Sequence, residues 1–401
     1  MKSKLAIKII VLMKSHSKNH LIVMKIIIIL SVCFFALSCK TNQKPKITTI
    51  LFSEVENFNL FSNKSLELLS YIPLETAGSP IVNSTSKMIE YNNTYYFFDQ
   101  FKMVVYRFDK YGKFLNKIGS KGRGPTEYSR VEDFCIDPAN GNVEFLSLTS
   151  QQIYQYTKED TYISKIKIEG YPYSFTKFDN GMYLFCKGQV EDKNSQIGKA
   201  QLYISDNTGN IKETYLPIEK NTAFLTPLRD ESIQVTNGKI FFKTWFTGDV
   251  YEITKKGPIH TVTIDFKDKA YSKDLLTKTT EEFMQFLNSI NPFNIDKYLE
   301  NENYIYSFIM DAKAENSYHL LYSKKSCKTI ITKASRDNSN NAIIGSAKRI
   351  TPTDELHFLI DPITLLDLRN TTNNSFNSSL DVSFLTENSN SVLVKFKIRS
   401  F

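Results

Sequence analysis

Several residues that would narrow this chain's chemistry are scarce in it. Among 401 residues there are one tryptophan, five cysteines and five histidines. Two histidines and two cysteines fall within the first 39 residues, leaving His260, His319, His357, Cys135, Cys186 and Cys327, all far apart. No CxxC pair and no Cys/His cluster is present, which excludes the usual zinc spacings. There is no nucleophile elbow, no histidine-based triad and no pair of carboxylates at a recognisable catalytic spacing. No apolar run reaches the roughly 20 residues that a membrane-spanning helix needs.

What is present begins with a leader. The first 38 residues hold six lysines and no acid, and the apolar run from Ile26 to Leu37 precedes Ser38-Cys39. A basic stretch, a short apolar core and a small residue at the cut form the order of a secretory signal. Met24-Lys25 would itself begin an ordinary leader, so residues 1–23 are given no structure. Ala36-Leu37-Ser38-Cys39 resembles the lipobox of bacterial lipoproteins, which implies a lipid thioether on Cys39 and cleavage just before it. Acyl chains hold a protein on a membrane durably when two or more insert. The tether after Cys39, Lys40 to Lys46, carries no acid, which favours an outer-membrane anchor facing the periplasm over display outside the cell.

Removing the leader changes the charge argument. The net charge of +8 includes its six lysines, so 44 basic residues remain against 42 acidic ones. No basic patch stands out, and nucleic acid is not an expected partner. The three later cysteines lie in or beside apparent strands. Buried free thiols and a single disulfide with one spare thiol both remain open.

An internal repeat organises the rest. Tyr106, Tyr154, Tyr203, Tyr251 and Tyr322 are spaced by 48, 49, 48 and 71 residues, each closing a short apolar strand. Six residues after the first four come Gly112, Asp160, Gly209 and Gly257, types that tolerate the left-handed backbone of a hairpin turn. Nine residues before three of the tyrosines lie Phe97, Phe145 and Phe242. The third unit has Phe185 instead, with the nine-residue, mostly polar stretch Glu191 to Lys199 filling the difference. A period near 48 residues with several strands per unit marks a β-propeller blade. The 71-residue step holds an amphipathic segment, Ser272 to Ile290, which places Leu275, Leu276, Phe283, Phe286, Leu287 and Ile290 on one helical face. It is expected to pack on the ring rather than on a membrane. With these insertions removed, the 331 residues from Tyr71 to Phe401 make about six units. The last is irregular: Leu356 to Ile360 and Ser391 to Ile398 read as strands, and Ile363 to Leu368 as a helical turn. The early stretch Leu69 to Leu74 is expected to supply its outer strand and close the ring.

The expected organisation is a leader over 1–38, a lipidated tether and lead-in over 39–65, and an all-β, six-bladed propeller over 66–401. These features resemble the six-bladed β-propeller lipoproteins of Bacteroides-type bacteria, which are related to the NHL-repeat propellers. The residues carrying the likeness are Ile72-Pro73-Leu74-Glu75-Thr76, the stretch from Tyr106 to Phe114, the stretch from Gly119 to Tyr128, and Asn390 to Lys395. The resemblance implies a fold and a location but no activity.

Candidate site residues are few. Gly119 to Tyr128 lacks the pattern of a phosphate loop. Its Arg123, Glu127 and Tyr128 either bind a polar ligand or brace the loop. Glu132-Asp133 and Asp230-Glu231 precede corresponding strands, and lactonase-like propellers hold a catalytic calcium with central acids. Solvated acids are the plainer reading. Trp245 sits in a strand run and is expected in the core, although an exposed one would stack on a sugar. Three functions follow. The first is a monomeric envelope module binding a glycan or an envelope protein without a cofactor. The others are a calcium-dependent lactonase or hydrolase, and a structural or sensory partner in an envelope complex.

Overall fold

A computed structural model of the chain describes residues 47–56, 60–62, 65–187, 191–193, 195–218, 232–244, 247–270, 279–334, 344–370 and 381–401. The leader and Cys39 lie outside them, as do Asp230, Glu231 and Trp245. The chain divides into two units, Met1–Lys46 and Ile47–Phe401, and the second holds all the described structure.

Six antiparallel sheets form that unit. Blades 1 to 5 are meanders over residues 87–118, 133–167, 174–217, 233–265 and 293–333; blade 6 covers 349–398 and borrows Leu66–Pro73. The first strands of successive blades lie against one another, so they surround the axis. Burial follows from this placement. In blade 2 the inner strands Asp133–Ile136 and Val143–Ser147 are buried throughout, whereas the outer strand Tyr162–Lys167 alternates between half-buried and exposed. Strands covered on both faces read as continuous apolar runs, while an edge strand alternates.

The repeat is explained by register. Phe97 faces Tyr106, Phe145 faces Tyr154, Phe185 faces Tyr203 and Phe242 faces Tyr251 on neighbouring strands. The extra residues in the third unit lengthen the turn and leave the pair intact. Gly112, Asp160, Gly209 and Gly257 all have positive φ, at 84°, 68°, 91° and 111°. At Gly112 the turn is also an inter-blade contact, because a Cβ there would collide with the Pro73 carbonyl of blade 6. Asp160 makes the equivalent contact by accepting the Gly119 N–H from blade 1 at 2.7 Å.

Ring closure occurs within blade 6, where Leu66–Pro73 pairs antiparallel with Val392–Ile398, from Leu66 opposite Ile398 to Pro73 opposite Val392. The irregular stretch contains the strand Glu355–Ile360 and a helix, Pro362–Asn370. The lead-in does more than connect. Thr48–Leu51 adds a fifth strand to blade 4, parallel to Gly257–Asp265, and Leu60 and Phe61 fill the core between blades 5 and 6.

The expected helix at 272–290 is shorter in its described part, Thr280–Ile290; residues 271–278, with Leu275 and Leu276, lie outside the described set. Its start is a capping box. The Glu282 N–H donates to the Thr279 hydroxyl, and the Glu282 carboxylate accepts the Thr279 N–H at 2.9 Å. Thr279 fixes the first turn because its side chain satisfies an N–H that has no partner within the helix. Phe283 is the buried member of the apolar face. All three described cysteines are free thiols; Cys135 and Cys186 are buried, but Cys327 is exposed. Cys327 sits at a hairpin turn with φ 55°, which holds it away from the core.

Candidate functional site

Strand direction alternates within each blade. The linkers from one blade to the next therefore emerge on the same face as the turns between second and third strands. Gly119–Tyr128 is such a linker, running from blade 1 to blade 2. Tyr128 is buried among Phe145, Tyr154 and Tyr156, and its hydroxyl donates to the Met103 carbonyl at 2.6 Å. Burial pushes that hydroxyl far above its ordinary range. Gly119 has φ 95°, and a Cβ there would collide with the same hydroxyl. Glu127 accepts the Gly124 N–H at 2.8 Å and occupies the space that a side chain at Gly122 would need. Both side chains are committed to holding the loop. Arg123 is exposed, with no ion pair among the described residues.

Glu132 and Asp133 adjoin in sequence but serve different neighbours. Glu132 accepts the Leu148 N–H at 2.7 Å and pairs with Arg130 at 2.9 Å; burial raises its pKa, with the Leu148 hydrogen bond opposing. Asp133 joins three blades. One oxygen meets the Lys87 ammonium of blade 1 at 2.6 Å, and the other accepts the Ser174 hydroxyl and Phe175 N–H of blade 3, both at 3.0 Å. Nearby, Lys177 of blade 3 reaches Asp137 at 2.5 Å and Glu144 at 2.8 Å in blade 2. Burial pulls its ammonium down, but Glu144 and Asp137 more than offset this and hold it above its ordinary value. Removing one partner of such a buried set leaves the other charge uncompensated, so these contacts brace the blades. Among the described residues, no three acids, histidines or cysteines group closely enough to hold a metal ion.

The histidines are similarly occupied. His319 is enclosed by Phe61, Phe308 and Phe358. Tyr306 accepts the Ala347 N–H at 3.0 Å, which leaves its own proton for His319 Nδ1 at 2.9 Å. Burial pulls His319 down to about 3. His357 is also pulled to about 3, first by burial and then by Lys395. His260 lies near both Asp249 and Thr263, but one ring nitrogen, Nε2, faces both, at 3.2 and 2.9 Å. A proton relay needs both ring nitrogens.

An open cleft lies one linker earlier. Residues 74–86 run from blade 6 to blade 1, as 119–132 run from blade 1 to blade 2. Here Asn390 holds the linker down. Its carbonyl accepts the Val82 N–H at 2.8 Å, and its amide donates to the Glu75 and Pro80 carbonyls at 3.0 and 2.8 Å. Above Val82 and Ser391 lies a cleft of about 560 Å³, bounded by residues 81–86, 98–102, 361–363 and 387–391. Its volume falls in the range of roughly 300–1,000 Å³ typical of small-molecule sites. Three of its apolar side chains face solvent: Ile81 is 53% exposed, Ile363 51% and Phe101 78%. None of the residues anticipated as site residues lines it. The nearest sequence signal was Asn390-Ser391, part of the closing stretch.

Residues 58–397 match a protein family described as "Domain of unknown function (DUF4934)". The fold is similar to that of a Bacteroides fragilis protein whose name ascribes export to it. The two share 20% identity and a TM-score of 0.71, over 88% of this chain and 100% of the other. A DUF4221 family member from Bacteroides vulgatus, 12% identical, covers 84% of this chain and 99% of its own at a TM-score of 0.51. At these identities the likeness shows a shared fold alone. A comparison with curated proteins gives no match.

Proposed function

This chain belongs to the DUF4934 family, and on that footing we propose that it is an exported, lipid-anchored module that binds its ligand in the cleft between blades 6 and 1. The cleft carries this reading. It is an open, partly apolar concavity on the loop face, whereas Glu127, Tyr128, Glu132 and Asp133 are committed to structural contacts. Concave sites with a few convergent polar groups are where propellers and other scaffolds place ligands. Export is supported by the basic leader and by the name of the B. fragilis fold neighbour. The anchor is Cys39, the non-acidic tether directs the ring to the periplasmic side of the outer membrane, and the propeller is of the NHL-like lipoprotein kind. The module acts as a monomer, with a glycan or an envelope protein as its partner.

Two measurements test this. Cys39→Ala is expected to move the protein from the membrane to the soluble fraction; a variant still retained on the membrane overturns the anchor. Ligand-observed NMR screening should find binders that Ile81→Trp, which fills the cleft mouth, excludes. Binders indifferent to that substitution place the site elsewhere.

A further inference from the structure

Resting on the cleft as the binding site, we infer that its ligand is a neutral saccharide whose apolar ring face stacks on Phe101. The first support is charge. Asp99, Asp361 and Glu387 line the cleft against a single cation, Lys102, so phosphates and acidic sugars meet a net negative wall. The two aspartates are engaged within their own loops, and the second oxygen of Asp99 faces the Lys102 ammonium at 3.7 Å. Asp99 accepts the N–H groups of Phe101 and Lys102 at 3.0 and 2.9 Å. Asp361 accepts the N–H and hydroxyl of Thr364, both at 3.0 Å, at the start of the helix Pro362–Asn370.

The second support is a set of neutral polar side chains with no partner in the chain. Ser84, Ser86 and Gln100 line the cleft, and their side chains make no hydrogen bond among the described residues. These neutral groups can each donate and accept, which suits sugar hydroxyls. They share the cleft lining with Phe101, whose backbone N–H is held by the Asp99 turn and whose side chain is largely exposed. An aromatic face presents negative π density to the C–H bonds on the apolar face of a pyranose. An exposed aromatic side chain in the same lining as several uncharged donors and acceptors therefore fits a carbohydrate better than a lipid or a charged peptide.

The test uses the full chain in detergent micelles, titrated with neutral oligosaccharides and, separately, with an uncharged peptide library. Neutral oligosaccharides should bind, with Phe101→Ala weakening them about tenfold or more. Gln100→Ala and Ser86→Ala should each have smaller effects, and all three variants should melt as the parent does. Saccharide binding that is unchanged in Phe101→Ala overturns the inference. Peptide binding lost in Phe101→Ala, with no saccharide binding, overturns the saccharide but keeps the cleft. No Phe101-dependent binding of either class overturns both.

Discussion

The linkers entering blade 1 and blade 2 are equivalent in topology and opposite in outcome. Residues 119–132 are closed over by Tyr128, which fills the space against Phe145, Tyr154 and Tyr156, while Glu127 occupies the loop beneath Gly122. Residues 74–86 put the smaller Val82 at the corresponding depth and are held by Asn390 from the far end of the chain. The connection within blade 6 that provides Asn390 spans residues 361–391, whereas the corresponding turn in blade 1 is only 100–103. Asp361 to Ile363 and Glu387 to Ser391 of that connection form one wall, Val82 leaves a floor, and a cleft results. A propeller can thus hold its strands constant and shape a cleft through the loops at one blade junction.

Substitutions can break or sharpen that contrast, beginning with the largest expected effect. Tyr128→Ala empties the closed linker and should cost about 3–5 kcal/mol in urea unfolding, the range for truncating a buried aromatic. A loss under about 1 kcal/mol would mean that Tyr128 is not the plug described. Asn390→Ala leaves the Val82 N–H and the Glu75 and Pro80 carbonyls without their partner. It should cost about 2–3 kcal/mol, since unsatisfied buried groups cost more than the net worth of their bonds. Hydrogen exchange should rise in 74–86 before it rises in 119–132, and the reverse order contradicts the clasp.

Acid probes the same contrast. His319 and His357 lie in blades 5 and 6, and both are held near 3 against an ordinary 6.5. Above pH 6.5 both are neutral folded or unfolded, so neither makes stability depend on pH. Between 6.5 and 3 the unfolded chain takes up protons that the folded one refuses. Stability therefore falls with pH, by on the order of 1 kcal/mol per unit for each histidine. His357→Gln should flatten the dependence measured between pH 7 and 5.5; an unchanged slope argues against a neutral buried His357. The smallest effect belongs to Phe101→Ala. Its exposed ring should leave stability within about 0.5 kcal/mol, and a larger loss would make it a structural residue.

Legibility divided along the same line. The Phe and Tyr positions are readable because three of the four pairs recur at one offset on adjacent strands, and the closing strand, expected at Leu69 to Leu74 and found at Leu66–Pro73, because an open ring would leave an unpaired edge. Glu75 and Asn390 carried a family likeness without a reason, and Gly112 had one only in its own turn. Contacts supply the reason: Gly112 packs against Pro73, Glu75 accepts the Phe114 N–H at 2.8 Å, and Asn390 binds the carbonyls of Glu75 and Pro80. These three residues mark the ring closure. The candidate site was less legible. Glu127 and Tyr128 could be singled out as binding or bracing, but their commitment to the loop depends on Gly122, Gly124 and Met103.

By itself the sequence determined the blade period, the number of blades and the strand that completes the last one. All three follow from local alternation and fixed spacing along the chain. Only the tertiary structure decided that a cleft opens at the linker into blade 1, because that cleft is assembled from segments near residues 82, 100, 362 and 389. Those segments meet only when the ends of the ring do, and no spacing within one repeat encodes that meeting.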